Sequence, residues 1–238
     1  SYFKSQIEKG LKERYPDGIS EEVRNRADYE CKIIIEKGFP AYFLIVQEYI
    51  DWAKQQGIAV GPGRGSAAGS LVAFALGITD LDPLENGLLF ERFLRIERTA
   101  MPNIAVDFEE GRRAEVFQHV KDVYGEDHVA GVITFQTIKA KNSVKDTARV
   151  LDFPYALGEK IAKLIGNELG ITIDKALEQK DFKQEYSTDE ELRTVVDLAK
   201  KIEGNLRGEG VHACATIISN KPMTDHIPVK RYTKAGPI

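Results

Sequence analysis

Apolar residues recur every three to four positions through the first quarter of the chain. Residues 2–15 and 20–37 carry this helical period, divided by a Pro16-Asp17-Gly18 turn. Ser20 followed by Glu21, Glu22 and Val23 marks the start of the second helix. From Phe39 to Gln56 the spacing predicts a longer helix with Phe43, Val46, Ile50 and Ala53 on one stripe. The pattern then changes. Ile58-Ala59-Val60 reads as a short strand entering a glycine-rich turn, and the apolar run from Ala67 to Leu76 reads as a helix over about 66–76. Ile104 to Phe108 reads as a second strand, Arg112 to Tyr124 as a helix crossing back, and Val129 to Phe135 as a third strand. From Thr137 to about Arg207 the chain is almost wholly helical in pattern, with breaks at Phe153-Pro154 and between Gly166 and Gly170. Asp189 through Ile202 is amphipathic, with Leu192, Val195, Val196, Ala199 and Ile202 apolar. Beyond Gly204, Arg207-Gly208-Glu209-Gly210 leads into a strand-like segment from Ala213 to Ser219. The order implies an α+β fold interrupted by a helical insert.

Composition narrows the class. With 238 residues and 42% hydrophobic content, the chain can bury one substantial core or two modest ones. No apolar run approaches the ~20 residues that span a bilayer, and no secretory leader is visible, so a cytoplasmic protein without membrane partners is expected. Cys31 and Cys214 lie far apart without metal-ligand spacing, which reads as a reduced pair. The net charge of −4 argues against wholesale attraction to nucleic acid, yet it conceals local patches. Lys139, Lys141, Lys145 and Arg149 form a basic cluster offset only by Asp146, and the last three, four apart, line one helix face. A solvated face and a phosphate-contacting face both fit that spacing. Arg92, Arg95 and Arg98 form a second basic group.

The stretch Gly61-Pro62-Gly63-Arg64-Gly65-Ser66-Ala67-Ala68-Gly69-Ser70 carries the clearest chemistry. Glycines let backbone N–H groups approach a phosphate closely. A helix starting here adds a positive N-terminus, Ser66 and Ser70 add hydroxyls, and Arg64 adds a planar fork. No Gly-Lys-Ser/Thr follows, so this is not a Walker A loop, and the glycine spacing is not G-x-G-x-x-G. A strand-to-helix connection that needs glycine for geometry alone is the competing reading.

Several further blocks occur with this turn in one order. They are Gly38-Phe39-Pro40-Ala41-Tyr42-Phe43-Leu44-Ile45-Val46, Ile78-Thr79-Asp80-Leu81-Asp82-Pro83-Leu84, Leu89-Phe90-Glu91-Arg92-Phe93-Leu94, Ile133-Thr134-Phe135-Gln136-Thr137 and Gly210-Val211-His212-Ala213. Together they closely resemble the C-family replicative polymerases, the catalytic α subunits of bacterial DNA polymerase III, over essentially the whole chain. The resemblance implies a polymerase-β-like nucleotidyltransferase palm interrupted by a helical thumb. Residues 1–136 would be the first part of the palm with its N-terminal helices, 137–207 the thumb and 208–238 the returning palm segment. The other domains of such polymerases have no counterpart here, so the chain looks like an excised piece. Implied partners are primer–template DNA and a deoxynucleoside triphosphate. The sliding clamp and other replisome subunits would bind through the missing domains. Arg64, Gly65, Ser66, Arg92 and Arg98 are the implied nucleotide contacts, whereas Arg95 departs from the family pattern. Lys139, Lys141, Lys145 and Arg149 are the implied DNA contacts at the start of the thumb. His212 lies in a family block on the returning segment, and its bland reading is structural.

The acidic motif is altered. Polymerases use two divalent ions about 3.5–4 Å apart, and Mg²⁺ takes oxygen ligands. After Met101-Pro102, the family pattern resembles Asp-Ile-Asp-x-Asp-Phe, with the last two aspartates as metal ligands. This chain has Asn103, Ala105 and Asp107 there. Asp107 is the one carry-over ligand, and the family's third carboxylate lies downstream of Ile238. Catalytic inactivity and weak or no Mg²⁺ binding are therefore expected. Glu109 continues the alternate-residue series, but Glu110-Gly111 suggests that the strand has ended. Two other functions stay open: a non-catalytic nucleic-acid-binding or scaffold homologue, and an active nucleotidyltransferase using Asp107 with Glu109 and Glu110.

Overall fold

The computed structural model describes residues 1–97, 100–232 and 236–237. They form two compact units, Ser1–Glu126 and Asp127–Ile238.

In the first unit, α1 (Tyr2–Arg14), α2 (Glu21–Glu36) and α3 (Pro40–Gln55) follow the periods read from sequence. Ser20 caps α2 by accepting from Val23 N–H, as its position before two glutamates suggests. These helices enclose α4 (Leu71–Ala75), whose five residues are all buried. A short helix that is apolar on every side can only be central. Phe3, Phe43, Phe93 and Phe90 complete the core through edge-to-face contacts with ring centroids 6.0–6.1 Å apart. The helix α5 (Arg113–Tyr124) packs Val116 with Ala53 and Ile58 in a smaller cluster.

Two strand expectations shrink in this unit. Residues 58–60 and 104–108 meet only at an isolated antiparallel bridge, Val60 opposite Phe108. Gly61 N–H donates to Asp107 O at 2.8 Å and Glu109 N–H to Ala59 O at 2.9 Å. The turn at 61–65 and a 3₁₀ turn at Glu110–Arg112 bend the chain away before a ladder can extend. The alternation survives nonetheless. Ile104, Val106 and Phe108 pack on the core, while Asn103, Ala105 and Asp107 are exposed.

The second unit carries β1 (Val129–Thr137) paired antiparallel with β2 (Leu206–Ile218). Between them run α6 (Ala140–Val150), α7 (Tyr155–Ile165), α8 (Ile173–Ala176), α9 (Lys180–Thr188) and α10 (Glu190–Ile202). The helical insert and its two breaks fall where the pattern puts them. Val144, Ile161, Ile165, Phe182, Leu192, Val195 and Val196 are fully buried and form its core. A two-residue pairing of β3 (Arg231–Tyr232) with β4 (Gly236–Pro237) follows. Helix-rich with a small antiparallel sheet, the chain is α+β. Among the described residues, no helix is long and apolar enough to cross a membrane.

Candidate functional site

The bridge between Ala59–Gly61 and Asp107–Glu109 sets the glycine turn against the altered acidic segment. Gly61 makes a close approach, since a Cβ there would lie 3.1 Å from the Asp107 Cβ. The backbone therefore enters the turn directly beside Asp107. Asp80 N–H donates to Pro62 O at 2.7 Å and braces the turn from below. Asp80 is itself tied down by Arg14 at 2.8 Å and Lys54 at 3.3 Å. Gly65 has φ +62°, a left-handed conformation that suits glycine. Arg64, Gly65 and Ser66 are exposed. Arg64 Nη1 lies 3.1 Å from Asp107 Oδ1, with both side chains more than half exposed. An ion pair this open contributes about 0–1 kcal/mol and is easily displaced by a stronger anion for Arg64.

The helix expected over 66–76 is divided. Gly65–Gly69 form a 3₁₀ turn, and α4 begins only at Leu71. Its first N–H groups are already occupied. Leu71 N–H and Val72 N–H each donate to the Glu30 carboxylate at 2.9 Å, and Ala73 N–H donates to Ser70 Oγ at 3.1 Å. Ser70 Oγ donates to Glu30 Oε2 at 2.9 Å and is fully buried, so it cannot serve as a phosphate donor. Arg26 pairs with Glu30 at 2.7 Å and reaches Gly69 O and Leu88 O at 2.8 and 2.9 Å. Burial raises the Glu30 pKa, against the lowering pull of the two backbone N–H groups and Arg26. A phosphate at this turn would thus meet Arg64, Ser66 and the loop backbone, not the α4 terminus.

Arg92 and Arg95 are exposed in the segment after α4, with Arg92 ending a 3₁₀ turn at Phe90–Arg92. Arg98 lies outside the described residues.

The donor set beside the turn does not fit a two-ion site. Asp107 is the one carboxylate of the three motif positions, and Arg64 engages one of its oxygens. Glu109 Oε2 approaches Ala59 N–H at 3.5 Å, and Glu110 opens the next turn. Among the described residues, no three His, Cys, Asp or Glu side chains are grouped to hold a metal ion. This weighs against a site built from Asp107, Glu109 and Glu110.

In the second unit, the basic cluster is only partly free. Lys139 is exposed at the start of α6. Lys141 and Lys145 are half-buried rather than fully exposed, because their helix face turns toward α7. Lys145 pairs with Glu159 at 2.6 Å, which raises the Lys145 pKa and lowers that of Glu159. Tyr155 O–H donates to Glu159 at 2.7 Å. Lys141 Nζ donates to Asn167 Oδ1. Arg149 is exposed, 3.8 Å from Asp146, which also takes Arg207 at 3.3 Å.

His212 has a structural task. Gly131 pairs with Thr216 and Ile133 with Val211, so residues 212–215 bulge opposite Val132. His212 Nδ1 accepts from Cys214 N–H at 3.2 Å and Ala215 N–H at 2.9 Å, filling donors that the bulge would orphan. The Arg26–Glu30 network and the grouping of Lys163 and Asn167 beside Lys141 are not legible in sequence. Arg26 and Glu30 have the four-residue spacing of an ordinary surface pair.

Comparison with known proteins gives the family. The family described as "Bacterial DNA polymerase III alpha NTPase domain" matches residues 1–237. DNA polymerase III subunit alpha of Mycobacterium tuberculosis strain H37Rv is 45% identical over 251 residues, covering 100% of this chain and 21% of the relative. The Escherichia coli K12 subunit is 46% identical over 239 residues, covering 96% and 20%. That of Thermus aquaticus is 44% identical over 237 residues, covering 96% and 19%. The chain spans about a fifth of the length of these relatives. With a family match across nearly its whole length, the chain belongs to the bacterial DNA polymerase III alpha family.

Proposed function

We propose that this chain is the nucleotide- and primer–template-handling part of a replicative DNA polymerase, and that it does not catalyse nucleotide transfer as written. In this reading residues 1–136 and 208–238 supply a polymerase-β-like palm, and 137–207 supply the thumb. The observation that carries it is the backbone bridge between Ala59–Gly61 and Asp107–Glu109, which brings Arg64 within 3.1 Å of Asp107. Arg64, the exposed loop backbone and Ser66 would receive the triphosphate of an incoming deoxynucleotide. Arg92 would add charge from the neighbouring segment, and Arg98 is assigned the same part by family resemblance. Lys139, Lys141, Lys145 and Arg149 would contact strand phosphates.

The chemical step is missing its charge. In-line displacement at an α-phosphate needs concentrated positive charge on the attacking and leaving oxygens. Asn103 and Ala105 cannot concentrate cations as carboxylates would, and Arg64 already balances Asp107. A non-catalytic nucleic-acid-binding homologue shares this prediction and differs in having no use for a triphosphate. Primer extension by the purified chain, with Mg²⁺ and separately with Mn²⁺, tests the reading. No extension is expected. Extension that persists in D107A would overturn the assignment of this site, while extension abolished by D107A would favour an acid set including Glu109 or Glu110.

A further inference from the structure

A cleft of about 200 Å³ lies between α6 and the end of α7. Lys141, Lys145, Glu159, Lys163, Gly166 and Asn167 line it, so three ammonium groups face one carboxylate. The groups are not equivalent. Glu159 holds Lys145 at 2.6 Å and is drawn further below its ordinary pKa by Lys163 nearby. Lys141 engages the carbonyl oxygen of Asn167, which leaves the Asn167 amide N–H₂ as a donor. Lys163 is exposed at the cleft mouth. The volume falls below the roughly 300–1,000 Å³ of drug-sized sites and suits a small polyatomic anion rather than a nucleoside.

We propose that this cleft is a phosphate site in which Lys163, Lys141 and the Asn167 amide bind one oxyanion, while Glu159 restrains Lys145. Lys163 and Asn167 come from α7 and the residues after it, outside the basic stripe read on α6. The site is therefore a pocket shared by two segments, not a solvated helix face. Oxygen-rich, tetrahedral phosphate matches donors arriving from several directions better than a planar carboxylate does. The phosphate comes either from a nucleic-acid strand or from a free phosphate compound. Only the first source rests on the function proposed above.

The test uses the 238-residue chain with two probes, a labelled primer–template duplex and inorganic pyrophosphate. Duplex affinity is measured against salt concentration for the unaltered chain, K163Q, N167A and K183Q, the last an exposed lysine of α9. Loss of one strand-phosphate contact lowers the slope of log affinity against log salt by about 1. That decrease in K163Q, with weaker duplex binding in N167A and K183Q unchanged, is expected for a strand phosphate. If duplex binding is unaffected but K163Q and N167A lose pyrophosphate binding, the pocket stands with a free phosphate as its ligand. Equal losses in K163Q and K183Q would reduce the effect to general charge and overturn the pocket. Unchanged duplex and pyrophosphate binding in both pocket variants would overturn it as well, whether or not the chain binds DNA. As a check that needs no lysine removed, E159Q frees Lys145 and should tighten binding of the same probe severalfold; no change there contradicts the arrangement.

Discussion

Gly10 shows how a single residue decides between local preference and packing. It lies on α1, and a Cβ there would meet the Ala75 carbonyl oxygen at 1.8 Å. Alanine is better than glycine in an isolated helix by about 1 kcal/mol. Backbone cannot yield as a flexible side chain can, so the clash exceeds that gain. Gly10→Ala is predicted to destabilise the first unit by about 1–3 kcal/mol in denaturant unfolding, within the usual range for overpacking. A stabilised variant would mean that α1 and α4 do not meet as described. Glu30 makes the complementary point. Its carboxylate accepts from Arg26, Ser70, Leu71 and Val72 while fully buried, so it closes the terminus of α4. Sequence pattern assigned that terminus to phosphate because spacing reveals where a helix begins but not what already occupies its donors.

At the scale of elements, the long helices were legible because burial imposes a 3.6-residue period on each of them. The short strands were less so. The alternation at 104–108 is real, with Asp107 on the exposed side, but alternation reports the face of a segment and not the presence of a partner strand. Likewise, the four-residue spacing on α6 identified a shared face and missed Glu159 and Asn167, which approach from α7 and beyond. Helix ends were clearer. Asp189 caps α10 by accepting from Leu192 N–H at 3.0 Å, and that bond holds its pKa below the ordinary 3.8. The folded state therefore binds this proton less readily than the unfolded state. The contribution is fully present above about 3.8 and is lost as pH falls through the lower folded value. Asp189→Ala is predicted to cost about 1 kcal/mol at neutral pH. Thermal unfolding should show the difference from the unaltered chain shrinking below pH 3.8, and a difference independent of pH would contradict the cap.

For the molecule as a whole, a family match over residues 1–237 meets a segment in which Asp107 is the one carboxylate among positions 103, 105 and 107. The turn has the features on which the proposed phosphate role rests: glycine backbone brought against Asp107, a brace through Asp80, and an exposed arginine. It lacks the carboxylates that would gather cations. Family membership was legible from the ordered blocks. The closed α4 terminus and the Arg64–Asp107 pair were not, because each depends on residues more than 40 positions apart. The central claim is that Arg64 is a triphosphate ligand resting on Asp107. Equilibrium binding of a labelled deoxynucleoside triphosphate to the unaltered chain, R64Q and D107N tests it most directly. Removing a charged hydrogen-bonding group should weaken binding about tenfold or more in R64Q. D107N removes the competing carboxylate and should tighten binding. Equal affinity in all three proteins would contradict the account.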